Sequence, residues 1–164
     1  MENRALVVID LQNDITKNYK EIIEKVNMAI DWAIKNEVII VYIKHNNLSD
    51  GTRTFKPNTH GVEFVKEMKV VSNYIFTKSK SNALTSEEFV SFIKRNDIDE
   101  FYIVGADASA CIKSTCFNMK KNGYNVYVLS DCITSYDKRK LPEMLKYYES
   151  KGCIILTLSE IIKW

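Results

Sequence analysis

The sequence predicts an α/β protein, a three-layer, doubly wound fold whose six-stranded, mostly parallel sheet carries helices on both faces. Two observations predict this fold. Six short apolar runs rich in β-branched and aromatic residues recur along the 164-residue chain, as is typical of strands buried on both faces. Longer segments with apolar residues at helical spacing separate most of these runs, and this alternation favours a parallel sheet. No repeat or Pro/Gly-rich linker interrupts the pattern, so we interpret residues 1–164 as a single domain.

The strands and helices can be placed from these runs and their boundaries. The predicted strands are residues 5–9, 38–43, 74–76, 101–104, 126–129 and 153–156. Helices are predicted around residues 22–33, 89–93, 112–119 and 141–148, with a short one at the end of the chain. A capping box from Thr85 to Glu88 should open the second helix, and Asn122-Gly123 should end the third. A long irregular segment, residues 46–59, follows the second strand and is expected to lie over the carboxyl edge of the sheet.

The composition limits the classes of partner and cofactor. The 23 basic and 21 acidic residues are interspersed and give a net charge of +2, so no basic surface for nucleic acid is indicated. The apolar segment near the amino terminus is broken by Asp10 and is too short for a signal peptide or a membrane span. We therefore expect a cytoplasmic location, no membrane partner and free thiols at the four cysteines. Their spacing does not resemble a zinc site, so neither a metal nor another cofactor is predicted.

Three side chains with complementary chemistry follow predicted strands. Asp10 comes directly after the first strand, Lys78 follows the third, and Cys111 follows the fourth at the start of a helix. Because the carboxyl ends of parallel strands meet at one edge of the sheet, we expect these side chains to lie together. Each residue alone has a plainer interpretation, as a capping carboxylate, a solvated ammonium or a buried core thiol. Their joint position favours a catalytic set.

The three groups together suit acyl transfer. A helix N-terminus and the Lys78 ammonium should both lower the pKa of the Cys111 thiol, because each stabilises the thiolate. Asp10 could take the thiol proton as a general base and later pass it to a leaving amine. Backbone N–H groups in the turn before Cys111 could hold an oxyanion.

Three segments resemble, in the same order along the chain, motifs of the isochorismatase-like cysteine hydrolases. The segments are residues 7–14 (VVIDLQND), 76–84 (FTKSKSNAL) and 104–112 (VGADASACI). This family includes nicotinamidases, carbamoylsarcosine amidases and isochorismatases, and the similarity spans nearly the whole chain. The spacing within the second segment favours Lys78 over Lys80 as the lysine of the family.

The resemblance implies roles for specific residues. It implies a catalytic triad of Asp10, Lys78 and Cys111. It also implies a non-proline cis peptide between Ala106 and Asp107. In the family this bond turns backbone N–H groups, here those of Asp107 and Cys111, toward the oxyanion of the substrate.

The segment before Cys111, which we call the nucleophile turn (residues 106–110), departs from the family pattern. Ala108 and Ser109 stand where the family usually has Thr and then an acidic residue. Asp107 stands where the family often has a small residue, and its carboxylate should either enter the pocket or cap the helix. The opening motif ends in Ile15 rather than an aromatic residue, which makes one pocket wall aliphatic. The predicted pocket residues are Ile15, Phe55, Ala106 and Ala110.

The two histidines do not match the metal site of the family. Nicotinamidases typically bind a metal through an Asp-x-His pair after the second strand and one further His. Here Ile43 stands at the Asp position before His45, and His60 has no clear match. We therefore interpret both histidines as non-ligands. Retention of Cys111 favours amide chemistry over the vinyl-ether cleavage of isochorismatases.

The leading prediction is a metal-independent hydrolase that cleaves an amide or related C–N bond of a small molecule through a Cys111 thioester. Two alternatives stay open. One is a nicotinamidase with an atypical metal site, and the other is a binding or redox module of the same fold that uses a reactive thiol without turnover. Because the family often forms dimers or tetramers, we expect a homo-oligomer, to which Tyr147, Tyr148 and Trp164 could contribute.

Overall fold

The computed structural model describes residues 3–16, 18–51 and 53–163, and within them it has one sheet of six strands. In chain order the strands are β1 (Arg4–Ile9), β2 (Ile39–His45), β3 (Ile75–Lys78), β4 (Glu100–Ala106), β5 (Asn125–Thr134) and β6 (Ile154–Leu156). Their spatial order is β3-β2-β1-β4-β5-β6, and each neighbouring pair is parallel. The predicted fold class is confirmed, and the sheet is wholly parallel rather than mostly so.

Helices connect the strands. They are α1 (Asn13–Thr16), α2 (Ile23–Lys35), α3 (Glu87–Arg95), α4 (Cys111–Lys121), α5 (Leu141–Ser150) and α6 (Leu158–Ile162). The one-turn helix α1 was not predicted, because four residues are too few to show a helical period. Asn122 and Gly123 end α4 as predicted, with Gly123 in the left-handed region at φ 86°. Within the described ranges, none of the helices is long and apolar enough to span a bilayer.

The predicted capping box at the start of α3 was wrong. Thr85 belongs to a short 3-10 turn, and the N-cap of α3 is Ser86, whose hydroxyl accepts a hydrogen bond from the Phe89 N–H. A true capping box occurs at α6, between Thr157 and Glu160. Both patterns match the same sequence signature, so local spacing alone does not choose between them.

The core lies in two layers, one on each face of the sheet. Along β1, Leu6 and Val8 enter one layer, whereas Ala5, Val7 and Ile9 enter the other. Residues of α2 and α6 cover the first layer, and residues of α3, α4 and α5 cover the second. Full burial of one such aliphatic side chain contributes about 1.5–3 kcal/mol. Burial on both faces explains why β1 is a continuous apolar run rather than an alternating one.

Gly105 brings the carboxyl ends of β1 and β4 into close contact. It pairs with Ile9 and has φ 120°, a conformation that side-chain-bearing residues rarely adopt. A Cβ atom at this position would lie 2.2 Å from the Ile9 carbonyl oxygen. Asp10 therefore emerges directly beside the nucleophile turn.

Candidate active site

Three strand ends bring Asp10, Lys78 and Cys111 together, as the sequence predicted. The Lys78 Nζ lies 3.0 Å from Asp10 Oδ2 and 3.3 Å from Cys111 Sγ. Asp10 and Lys78 are buried, with residue exposures of 1% and 4%. Asp10 Oδ1 is also buried and has no hydrogen-bond partner among the described residues. The ammonium thus bridges a carboxylate and a thiol in a site largely shielded from water.

The lysine reaches Asp10 across an intervening strand. Lys78 ends β3, whereas Asp10 follows β1, and β2 lies between them. Adjacent strands are about 4.8 Å apart, so the contact spans two strand spacings. A long side chain is required for that distance, and it passes over the end of β2 at His45, the residue paired with Lys78.

His45 is a fourth member of the cluster. Its Nδ1 lies 2.8 Å from the Lys78 Nζ. The potential ligand atoms of Asp10, His45 and Cys111 all lie within 4.8 Å of one another, and the Lys78 ammonium contacts each of these three side chains. From the sequence, His45 was weighed only as a metal ligand, and its contact with Lys78 was not predicted. The signal that could have found it is its position at the end of the strand next to that of Lys78.

The buried surroundings shift the titration of two groups. Burial first, and then the Asp10 carboxylate, raise the pKa of the Cys111 thiol to about 12, although the Lys78 ammonium partly opposes this. The expectation that the thiol pKa would be lowered was therefore wrong, because desolvation outweighs the nearby cation. Burial and the Lys78 charge both lower the pKa of His45, and the Asp10 charge offsets this only in part. The resting site holds a neutral thiol and a neutral imidazole at neutral pH.

The nucleophile turn places Cys111 at the first position of α4. The peptide bond between Ala106 and Asp107 is cis, as the resemblance implied. The Asp107 carbonyl accepts hydrogen bonds from the N–H groups of Ala110 and Ile112, each at 3.1 Å. The first N–H groups of a helix have no intrahelical acceptor, so the Cys111 N–H is free of the helix ladder.

The Asp107 carboxylate is held by groups from three segments of the chain. Its five donors are the Tyr19 hydroxyl at 2.9 Å, the Ser109 N–H at 2.8 Å and hydroxyl at 2.9 Å, the Ser135 hydroxyl at 2.9 Å, and the Tyr136 N–H at 2.9 Å. Partial burial raises the pKa of Asp107, but these hydrogen bonds outweigh it and hold the pKa below its usual value. The sequence left open whether this carboxylate enters the pocket or caps the helix. It ties the nucleophile turn to the loops beside it.

The predicted pocket residues have different environments. Phe55 is buried with φ 58°, and its ring centroid lies 5.5 Å from that of His45. Ala110 is exposed directly before Cys111, and Ile15 packs partly buried against the core. Ala106 has no exposed surface and belongs to the core, so its prediction as a pocket wall was wrong. It was assigned from its place in the turn, but strand β4 extends through it.

The described residues of the segment 46–59 lie over the strand ends, where the sequence placed the segment. The Phe55 N–H donates to the Asp14 carboxylate, and the Phe55 carbonyl accepts from the Asn47 N–H at 2.8 Å. A Cβ atom at Gly61 would lie 2.0 Å from Asp14 Oδ1, so any side chain there would displace this carboxylate. A cleft of about 450 Å³ opens beside Lys78. It is lined in part by Asn46, Leu48, Ser79, Lys80, Glu87 and Glu88.

Other candidate residues lie outside the cluster. His60 is exposed on a 3-10 turn, where its carbonyl accepts a hydrogen bond from the Asn13 amide at 2.9 Å. Tyr148 is wholly buried and donates to the Ala108 carbonyl, so it cannot join an interface as the sequence suggested. Tyr147 is partly buried beneath Lys113 and Lys151. Trp164 lies outside the described residues.

The chain matches a described protein family and resembles curated proteins. Residues 4–160 match the model of a family described as the isochorismatase domain. Among curated proteins, a probable inactive nicotinamidase of Arabidopsis thaliana is 24% identical over 155 residues, with 79% of each chain covered.

Several solved structures share the fold. An isochorismatase family protein from Desulfovibrio vulgaris has a TM-score of 0.91 at 16% identity, covering 99% of this chain and 98% of its own. N-carbamoylsarcosine amidase from Thermoplasma acidophilum has a TM-score of 0.84 at 18% identity, with coverages of 96% and 97%. Pyrazinamidase of Pyrococcus horikoshii, solved in complex with zinc, has a TM-score of 0.85 at 23% identity, with coverages of 94% and 99%. At these identities the likeness concerns the fold.

Proposed function

Because the chain belongs to the isochorismatase family, we propose that it hydrolyses an amide or related C–N bond of a small molecule, through a thioester on Cys111 and without a metal ion. The contact of the Lys78 ammonium with both the Asp10 carboxylate and the Cys111 sulfur carries this proposal. A base, a cation and a thiol in one buried cluster are the parts that cysteine-based acyl transfer requires. The solved amidases of the same fold support amide substrates.

The reaction begins from a neutral thiol. With a pKa of about 12, Cys111 holds only about one part in 10⁵ as thiolate at pH 7, which corresponds to about 7 kcal/mol. Deprotonation is therefore coupled to attack. The Asp10 carboxylate, whose Oδ1 has no partner among the described residues, accepts the thiol proton while Sγ bonds to the substrate carbonyl carbon.

The carbonyl π electrons move to oxygen as the S–C bond forms. The backbone N–H of Cys111, with that of Asp107, would hold this oxyanion. Collapse of the tetrahedral intermediate breaks the C–N bond, and the amine leaves with the proton from Asp10. Water then attacks the thioester as Asp10 takes one of its protons. Collapse of this second tetrahedral intermediate breaks the S–C bond, the acid product leaves, and Asp10 returns its proton to the Cys111 sulfur.

Lys78 supports both halves of this cycle. Its ammonium contacts the sulfur, so it stabilises the negative charge that develops when the thiol proton moves. It also forms an ion pair with Asp10 at 3.0 Å, which holds the carboxylate in place as the base. Since an ammonium already lies among the donor atoms of Asp10, His45 and Cys111, a metal ion in that place would meet a like charge.

The thiol-sensor alternative has less support. Sensor cysteines have low pKa values and exposed sulfurs, because the thiolate is the form that reacts with oxidants. Cys111 has a raised pKa and is only partly exposed. The nicotinamidase alternative requires a metal set that includes His45, which instead contacts the Lys78 ammonium.

A substrate panel tests the proposal. The purified protein is assayed for ammonia or amine release from primary amides, nicotinamide and carbamoyl compounds, and its zinc and iron contents are measured. Cys111→Ala should lower kcat by roughly a thousandfold or more, because the covalent route is lost. The matched control is Cys153→Ala, which removes a buried thiol directly before β6. β6 is the edge strand opposite β3.

Two observations support the mechanism together. Rapid acid quenching should trap an acyl adduct on the Cys111 peptide, detected by its mass. Wild-type turnover by Cys111→Ala would overturn the nucleophile assignment. Stoichiometric zinc or iron whose removal abolishes activity would instead favour the metal-dependent alternative.

A further inference from the structure

We propose that His45 is a positioning residue for this hydrolysis, a neutral imidazole whose Nδ1 accepts a hydrogen bond from the Lys78 ammonium and holds it between Asp10 and Cys111. The inference rests on the proposed function. It assigns to His45 a role other than metal binding. The role follows from the number of donors on the ammonium and the acceptors around it.

The ammonium has three N–H donors and no acceptor. Three acceptors surround it: Asp10 Oδ2 at 3.0 Å, His45 Nδ1 at 2.8 Å and Cys111 Sγ at 3.3 Å. Every donor therefore has a partner, and the three contacts fix the rotation of the group. Lys78 is almost completely buried, so without His45 one N–H would lack a partner in a place that water hardly reaches. The ammonium would then be free to turn away from the sulfur.

The acceptor role fixes the tautomer of the imidazole. A ring nitrogen that accepts a hydrogen bond carries no proton, so the single proton of neutral His45 is on Nε2. Protonation of Nδ1 would point an N–H at the ammonium and place two cations within 2.8 Å of each other.

His45 is held in place by contacts on its backbone and its ring. The buried Gln12 side chain accepts from the His45 N–H at 2.9 Å and donates to the His45 carbonyl, also at 2.9 Å. The Phe55 ring packs against the imidazole from the segment of residues 46–59. Asp14 in turn holds the Phe55 N–H. These contacts make the imidazole a fixed acceptor rather than a mobile surface group.

The groups facing His45 set its pH dependence. They are Lys78 from β3, Asp10 from the end of β1 and Cys111 from α4, while the loop contributes the uncharged Phe55 ring. The ammonium opposes a proton on the imidazole, and the carboxylate favours it. When pH falls below the lowered pKa of His45, the contact with Lys78 should break and activity should fall.

Two substitutions separate positioning from simple packing. His45→Ala removes the acceptor. His45→Asn keeps an amide oxygen near the position of Nδ1 but does not titrate near neutral pH. On a substrate found in the amide panel, His45→Ala should lower kcat about tenfold or more with little change in KM. His45→Asn should keep most of the wild-type kcat at pH 8. In the pH profile of kcat, it should no longer show the decline at low pH that protonation of His45 causes in the wild type.

The tautomer of His45 and the pKa of Cys111 can both be measured without a substrate. Long-range ¹H–¹⁵N NMR spectra of the wild-type protein should show His45 as the Nε2–H tautomer. In the pH dependence of iodoacetamide alkylation, His45→Ala should raise the pKa of Cys111, and His45→Asn should restore it. If wild type hydrolyses nothing in the panel but these two results hold, the proposed function fails and the His45 contact stands.

Three results would overturn the inference. One is an Nδ1–H tautomer in the wild-type protein, which remains measurable even if a variant fails to fold. The second is wild-type kcat in a folded His45→Ala variant. The third is a His45→Asn variant that behaves like His45→Ala in both kcat and alkylation.

Discussion

Asp10→Asn should make Cys111 more acidic while abolishing hydrolysis. The Asp10 carboxylate raises the pKa of the thiol, and its oxygen lies within 4.8 Å of the sulfur. At an effective dielectric constant of about 20, two unit charges 4.8 Å apart interact by about 3.5 kcal/mol, or about 2.5 pKa units. Allowing for screening, we expect the pKa of Cys111 to fall from about 12 to about 10.

The assay is the rate of iodoacetamide alkylation of Cys111 against pH, followed by mass spectrometry of the peptide. Because the thiolate is the reacting form but becomes less nucleophilic as its pKa falls, a two-unit fall should speed alkylation at pH 8 by about tenfold or more. Amide hydrolysis should still be lost, because the proposed base, Asp10, is gone. Asp99→Asn, an exposed carboxyl at the amino edge of the sheet, is the charge-matched control and should change neither rate.

Asp10→Asn is expected to speed alkylation and to abolish hydrolysis, so either measurement alone can refute the prediction. A folded Asp10→Asn variant whose thiol reacts no faster than wild type would show that the carboxylate does not govern the thiol pKa. A variant that still hydrolyses the substrate would show that Asp10 is not the base. Circular dichroism and a thermal melt check that the variant folds.

Three further predictions concern the framework of the site. Asp107→Asn replaces one acceptor oxygen with a donor and should cost about 2 kcal/mol in urea unfolding at pH 7. Because the folded-state pKa of Asp107 is lowered, its contribution is fully present above about pH 4 and is lost as pH falls through the lowered pKa, so the difference between wild type and variant should shrink below pH 4. A difference that stays constant as pH falls would contradict this. Gly105→Ala should cost about 3 kcal/mol or more, since its Cβ would meet the Ile9 carbonyl oxygen, and a thermal melt unchanged from wild type would refute the close approach. In the folded protein, Cys111 should be the first thiol labelled, since the other three cysteines are buried, and equal labelling of all four would contradict the core.

Much of this architecture was predictable, because strand ends in a parallel sheet share one edge. Asp10, Lys78 and Cys111 each follow an apolar run, so their meeting required only the fold class and the strand boundaries. The direction of the thiol pKa was not predictable. Proximity to Lys78 is visible in the sequence, whereas the degree of burial that outweighs it depends on packing of the finished fold.

The contributions of His45 and Asp107 were hidden for a different reason. His45 contacts Lys78 because the lysine side chain passes over the end of β2. The sequence does not show the spatial order of the strands, so it does not show that β2 lies beside β3. The Asp107 carboxylate accepts hydrogen bonds from donors up to 88 positions away along the chain. No local sequence pattern indicates these partners. Ala106 was misplaced because β4 continues to Ala106, beyond the predicted end of its apolar run at residue 104.

The strand that supplies the ammonium lies at one edge of the sheet and is among its shortest strands. β3 has four residues and, among the described residues, pairs only with β2, so it depends on few backbone hydrogen bonds. Edge elements of this kind open locally at a lower free energy than the protein needs to unfold as a whole. Activity would therefore report on fraying of β3, and in rising urea it should decline before circular dichroism registers any loss of helix.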